Sequence, residues 1–235
     1  MFQRRLMLTN TTNTRELGGY CGKEGRITKY KSFLRSDDVS QCNEGDIAKL
    51  KNYGVKTIID LRGKSELIRK PNIFASCNDL KYFNIPLIPE EKFEVLTADI
   101  TMKMDQVYVE IIKNHEAISK LFTVILENRE GTILFHCTAG KDRTGVTALL
   151  LFMLAGAELT DIIADYQVTY LYIQPLIKKL TETYPDMPVH VMQCEPQWIV
   201  AAFNYILDTY GDVDSYFSSV GFSEAMVKSL KNIII

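Results

Sequence analysis

The segment Thr132 to Leu154 constrains the fold more than any other. Thr132-Ile133-Leu134-Phe135 is a short apolar run of strand type. His136-Cys137-Thr138-Ala139-Gly140-Lys141-Asp142-Arg143-Thr144-Gly145 follows it, and Val146 to Leu154 then reads as a helix. A strand, a tight loop with a glycine and a helix start form the geometry that binds a phosphate. Backbone N–H groups converge there, and the aligned peptide dipoles favour negative charge. A cysteine and an arginine six positions apart bracket the loop. Cys137 would lie under the anion as a thiolate nucleophile, and the planar fork of Arg143 would clamp two of its oxygens.

The flanking pattern predicts an α/β chain. Asn43 to Tyr53 has Ile47 and Leu50 at helical spacing, with Gly54 as its stop. Val55 to Leu61 is β-branched and reads as a buried strand, and Leu80 to Leu87 as a second, ended by Pro86 and Pro89. Between Pro89 and Gly131, residues Val107, Ile111, Ile112, Ile118, Leu121, Phe122 and Ile125 recur in helical steps. Further on, Thr160 is expected to cap a helix over Asp161 to Thr183. Pro196 should start one that runs to about Tyr210 and closes at Gly211. Ser223 should cap the last helix, and the final Ile-Ile-Ile either docks on the core or frays. No repeat or long linker interrupts residues 1–235. The reading is one α/β domain, a small central sheet flanked by helices with a helical C-terminal third.

Composition removes several classes of function. A net charge of −2 gives no global attraction to nucleic acid or an anionic membrane, so any basic character is local. The longest apolar stretch, Val146 to Ala157, falls short of the roughly 18–20 residues that span a bilayer, so no stable membrane insertion is expected. Thr9 to Thr14 is polar where a signal peptide needs an apolar run, which predicts a cytoplasmic protein and leaves non-classical secretion open. Cys21, Cys42, Cys77, Cys137 and Cys194 are odd in number and lack metal-type spacing. With His115, His136 and His190 scattered, neither a disulfide framework nor a metal or other cofactor is expected. Apart from Cys137, the cysteines read as small hydrophobes.

Chemistry on a phosphate needs a cradle, a nucleophile, an acid for the leaving group and stabilisation of developing charge. Thr138, Ala139, Gly140, Lys141, Asp142 and Arg143 supply the cradle, and Gly140 permits the unusual backbone angles. A helix N-terminus and a nearby cation favour the thiolate of a cysteine placed as Cys137 is. Arg143 and the loop N–H groups can follow charge onto the equatorial oxygens. Thr144 could hydrogen-bond the sulfur and improve it as a leaving group. His136 reads as an orienter of the loop, because an ionised thiolate needs no base.

The ten-residue string resembles the loop of cysteine-based protein tyrosine phosphatases. Its Lys-Asp-Arg ending is similar to a bacterial family whose members also hydrolyse phosphoserine, phosphothreonine and phosphoinositides. Asn13-Thr14-Arg15-Glu16-Leu17-Gly18-Gly19-Tyr20 is similar to that family's N-terminal element. Leu34-Arg35-Ser36, and Ile59-Asp60-Leu61-Arg62 with Glu66, are similar to its next two. The resemblance implies a cysteine-phosphatase-like, mainly parallel sheet. It also implies a phosphocysteine intermediate on Cys137, hydrolysed by water without metal. Substrates would be a phosphorylated protein or a phosphoinositide, and Lys141 could engage a second phosphate on an inositol ring. The oligomeric state stays open.

The general acid is less marked. The Trp-Pro-Asp loop of many tyrosine phosphatases is absent as a motif: Trp198 is followed by Ile199-Val200, and Pro185-Asp186 lacks the tryptophan. Asp142, inside the loop, is the first choice. Asp60, at the carboxyl end of a predicted strand, is the second, against a structural pairing with Arg62. Three other readings compete with a broad phosphatase. A dedicated phosphoinositide or inositol-phosphate phosphatase would use Lys141 with Lys64, Arg69 and Lys70. A phosphate-binding module without turnover is marked by loss of Cys137 or Arg143, and both are present. A sulfurtransferase would be decided by a thiosulfate assay.

Overall fold

Each of the central strands is apolar on both faces, which predicts a sheet covered on both sides. The structure is a computed structural model that describes residues 4–89, 103–183 and 192–235. In it β1 (Arg15–Glu16), β2 (Phe33–Ser36), β3 (Val55–Asp60), β4 (Lys81–Asn84) and β5 (Thr132–His136) form one sheet in the order β1-β2-β5-β3-β4. β2, β5, β3 and β4 run parallel, and β1 pairs antiparallel with β2. On β5, Ile133 and Phe135 join one apolar cluster, and Leu134 joins the other with Leu34, Val55 and Ile58. Ser36, His136 and Asp60 lie level across β2, β5 and β3. The carboxyl edge of the sheet, where parallel sheets collect ligand-binding groups, therefore opens at His136.

Helices flank this sheet: α1 (Glu44–Tyr53), α2 (Lys64–Arg69), α3 (Met104–Lys113), α4 (His115–Glu127), α5 (Asp142–Ala155), α6 (Leu159–Tyr172), α7 (Gln174–Thr183), α8 (Pro196–Tyr210), α9 (Val213–Ser219) and α10 (Glu224–Ile234). The expected capping signals operate. Asn43 and Asp46 make a reciprocal capping box on α1, and Gly54 ends it at φ 112°. Pro196 opens α8, Gly211 closes it, and Ser223 Oγ accepts from the Met226 N–H at 3.4 Å. α5 is buried from Arg143 through Ala155, which explains a helix apolar on all sides. Ile234 and Ile235 are buried, so the terminus docks rather than frays.

Three expectations change. Asp161 to Thr183 is two helices, broken at Ile173 ahead of Pro175, whose ring has no N–H to continue the ladder. Glu158, not Thr160, holds the capping position. β4 stops at Asn84, before Pro86, which cannot donate to a sheet. α9 was not anticipated, because only the Asp212 side chain, accepting from the Ser215 N–H at 2.7 Å, marks its start. Of the helical stretch expected from Pro89 to Gly131, residues 90–102 lie outside the described residues. Among the described residues no helix is long and apolar enough to cross a membrane.

Candidate active site

The loop between β5 and α5 is tied down from behind. Gly140 adopts φ +66°, and a Cβ there would lie 2.5 Å from the Ser36 carbonyl oxygen and 2.6 Å from the Asp37 nitrogen. Glycine is thus required both for the angle and for the approach to β2. The loop carbonyls are taken by donors from outside the loop. The Asp38 N–H donates to Thr138 O at 3.1 Å, Asn13 Nδ2 to Ala139 O at 3.0 Å, and Arg35 Nη2 to Gly140 O at 2.9 Å. Arg35 and Arg15 both pair with Asp165 of α6, with Arg15 Nε 2.9 Å from Oδ1. Burial opposes ionisation of Asp165, but the two guanidinium groups outweigh it and hold the carboxyl below its usual range.

Arg143 projects from the first turn of α5 and meets Glu66 of α2. Its Nη2 lies 3.0 Å from Oε1, and Nη1 donates to Oε2 in the same fork. Thr138 Oγ1 also donates to Glu66, at 2.5 Å. The second Glu66 oxygen accepts from the Gly63 N–H at 2.9 Å, at the start of α2. Burial opposes the Arg143 charge, but Cys137 and Glu66 more than offset it and raise the guanidinium above its ordinary value. Cys137 is 2% exposed at the floor of the loop.

Lys141 and Asp142 form a pair. Lys141 Nζ lies 2.9 Å from Asp142 Oδ1, donates to the Gln193 carbonyl at 3.1 Å and sits 4.8 Å from the centroid of the Trp198 ring. Its side chain is 2% exposed, so it neither points to solvent nor stands open to a second phosphate in this arrangement. Asp142 remains partly exposed and also accepts from Tyr108 Oη at 2.7 Å.

His136 and Asp60 lie beneath the loop. His136 Nδ1 is 3.1 Å from the Cys137 carbonyl oxygen, and Nε2 is 3.0 Å from Asn72 Nδ2. Asp60 is fully buried and receives Arg62 Nη2 at 2.8 Å, Asn72 Nδ2 at 2.8 Å and Tyr82 Oη at 3.2 Å. Burial opposes its ionisation, yet His136, Arg62 and Asn72 together hold its carboxyl well below the usual range. That environment favours the pairing role over proton donation. Thr144 Oγ1 is buried and has no hydrogen-bond partner among the described residues, so the expected bond to the sulfur is not present.

The Asp60 environment carries a stability prediction. A carboxyl whose native value lies below the unfolded value of about 3.9 stabilises the fold fully at neutral pH and loses that contribution as the pH falls below the unfolded value. Asp60→Asn is expected to cost about 1–3 kcal/mol at pH 7, because the buried Arg62 loses the carboxylate it bonds at 2.8 Å and keeps the looser pairing with Asp38 at 3.5 Å. Urea unfolding at pH 7 and at about pH 2.5, below the unfolded value, would check it: the loss should shrink at the lower pH, and an unchanged midpoint at pH 7 would contradict it.

Several residues of the site were not assigned roles by sequence reasoning. Asn13, Arg15, Arg35 and Glu66 were quoted only as parts of similar elements, and Asp165, Tyr108 and Tyr166 were not singled out. A signal existed for two of them. Arg35 interrupts the apolar strand Phe33-Leu34-Arg35-Ser36, and Asp165 shares a helical face with the buried Ile162 and Thr169. A charge on a buried face needs a partner, and these two are each other's.

Residues 6–235 match the model of a family described as the tyrosine phosphatase family. A tyrosine-protein phosphatase of Nostoc commune is 28% identical, over 85% of this chain and 73% of that protein. The triple specificity protein phosphatase PtpB of Mycobacterium tuberculosis is 22% identical, over 86% of this chain and 90% of that protein. Among solved structures, that of P. aeruginosa TpbA is similar at a TM-score of 0.39 and 15% identity, covering 74% of this chain and 87% of that one.

Proposed function

The chain belongs to the tyrosine phosphatase family, and from that premise we propose that it hydrolyses phosphomonoesters through a phosphocysteine on Cys137. The observation that carries this reading is the tethering of the loop. The carbonyls of Thr138, Ala139 and Gly140 are each committed to a donor outside the loop. The N–H groups from Thr138 to Arg143 are thereby left to serve the anion. The Cys137 thiolate attacks phosphorus, an S–P bond forms, and the P–O bond to the leaving group breaks. Asp142 gives its proton to the departing oxygen. Water then attacks the phosphocysteine, Asp142 takes a proton from it, and inorganic phosphate and the thiolate are released. Arg143, fixed by Glu66, follows the charge on the equatorial oxygens. His136 holds the loop from below through the Cys137 carbonyl, and Asp60 lies beneath it.

The substrate range we propose is phosphotyrosine first, with phosphoserine, phosphothreonine and phosphoinositides also accepted. One relative carries the name triple specificity protein phosphatase, which supports breadth. A dedicated phosphoinositide enzyme is less well supported, because the Lys141 ammonium is already engaged by Asp142 and Gln193. Parallel assays on a phosphotyrosine peptide, a phosphoserine peptide and phosphoinositide vesicles test this. Turnover of the tyrosine peptide with the highest kcat/KM is expected. Turnover of lipid alone would replace this reading with the dedicated one.

A further inference from the structure

Asp142 is gripped by a group that the reaction steps do not touch. Tyr108 of α3 is fully buried and donates its hydroxyl to Asp142 Oδ1 at 2.7 Å. The same Tyr108 oxygen lies 2.6 Å from Tyr166 Oη of α6. A phenol has one hydrogen. With that of Tyr108 spent on the carboxylate, the hydrogen between the two phenols comes from Tyr166. The chain of bonds therefore has a direction, from Tyr166 to Tyr108 to Asp142. The two rings meet edge to face, 5.9 Å between centroids. The Tyr166 ring also closes on the first turns of α5, where a Cβ at Gly145 would stand 3.4 Å from it. Its neighbour Asp165 holds Arg35, the donor to Gly140 O. α6 is thus tied to the anion cradle through Asp165 and to the Asp142 carboxyl through Tyr166.

We propose that Tyr108 is a positioning residue for the acid, with Tyr166 setting the direction of its hydroxyl. The proposal rests on Asp142 being the acid. Two donors, Tyr108 Oη and Lys141 Nζ, occupy Oδ1, so the transferable proton belongs on Oδ2 and the carboxyl plane is fixed. The charged and titratable groups around Asp142 are Lys141 and Arg143 beside it in the chain, Tyr108 from α3, Tyr166 from α6 and Cys194 ahead of α8. Without the Tyr108 hydroxyl, Asp142 loses one of the two donors on Oδ1 and is aimed less well.

The test measures kcat against pH for Tyr108→Phe, Tyr166→Phe, Asp142→Asn and the Tyr108→Phe/Asp142→Asn double variant. Phenyl phosphate serves as the poor leaving group and p-nitrophenyl phosphate as the better one. Tyr108→Phe is expected to slow the poor substrate about tenfold more than the good one. Tyr166→Phe should show the same pattern at about threefold. The double variant should match Asp142→Asn alone, because a positioning residue has nothing left to position. Equal slowing of both substrates by Tyr108→Phe would overturn the proposal. If Asp142→Asn itself slows both substrates equally and keeps the basic limb, the acid assignment fails first. If only Asp142→Asn discriminates between the substrates, the proposal alone fails. Should Tyr108→Phe not fold, Tyr166→Phe, which leaves the Asp142 contact in place, decides by the same criteria.

Discussion

Cys137→Ser is expected to lower turnover by at least about four orders of magnitude without unfolding the chain. The side chain is 2% exposed, and oxygen in place of sulfur removes little volume. The chemical loss is large because a serine hydroxyl stays protonated in a site built for an anionic nucleophile. Among the described residues nothing beneath the loop is arranged as its base. The His136 ring lies between the Cys137 carbonyl and Asn72, and Asp60 is committed to Arg62 and Asn72. The cradle itself is untouched, since its carbonyls are held by Asn13, Arg35 and the Asp38 N–H. The variant should therefore still bind inorganic phosphate, measured by calorimetry, while its steady-state rate falls to background. Acid-quenched wild-type enzyme should carry phosphate on Cys137 by mass spectrometry. A serine variant that kept a hundredth of the activity would exclude the covalent route.

The legible part of this molecule is the part where chemistry and backbone geometry coincide in one short string. Thr132 to Leu154 displays the strand, the loop and the helix in order, because a buried strand and a buried helix both need uninterrupted apolar residues. Gly54, Pro196 and Gly211 punctuate elements for reasons local to themselves, so they too could be read. What sequence order hides is coupling across the fold. Asp165 lies 130 positions from Arg35 and 150 from Arg15, yet their ion pairs hold the loop. Lys141 shows the same limit from the other side. A cation in a phosphate loop suggests a second anion, but the neighbouring Asp142 pairs with it, and tertiary packing brings Gln193 and Trp198 to it. Asp60 was placed correctly at the carboxyl edge of β3, but the company that makes it a partner for Arg62 includes Tyr82 from β4 and Asn72 from the turn after α2.

Arg143→Lys is expected to cut kcat by about a thousandfold with a smaller rise in KM, although the charge is kept. The reason is the fork. Arg143 already spends two N–H groups on the two oxygens of Glu66, and its remaining donors must reach the phosphoryl oxygens together. An ammonium is a single point of charge that cannot satisfy Glu66 and span two equatorial oxygens. The variant also leaves the half-paired Glu66 carboxylate near the incoming dianion, where among the described residues Thr138 Oγ1 and the Gly63 N–H remain as its donors. Part of the loss is therefore repulsion and not missing attraction. This separates the two contributions experimentally. Glu66→Gln alone should cost about tenfold, by loosening Arg143. Added to Arg143→Lys it should cost nothing more and should recover part of the rate, because the uncompensated carboxylate is gone. Steady-state kcat and KM for the two single variants and the double variant form the cycle. Additive losses would show that Glu66 and Arg143 act independently, and an Arg143→Lys enzyme within tenfold of wild type would show that charge alone, without the fork, carries the transition state.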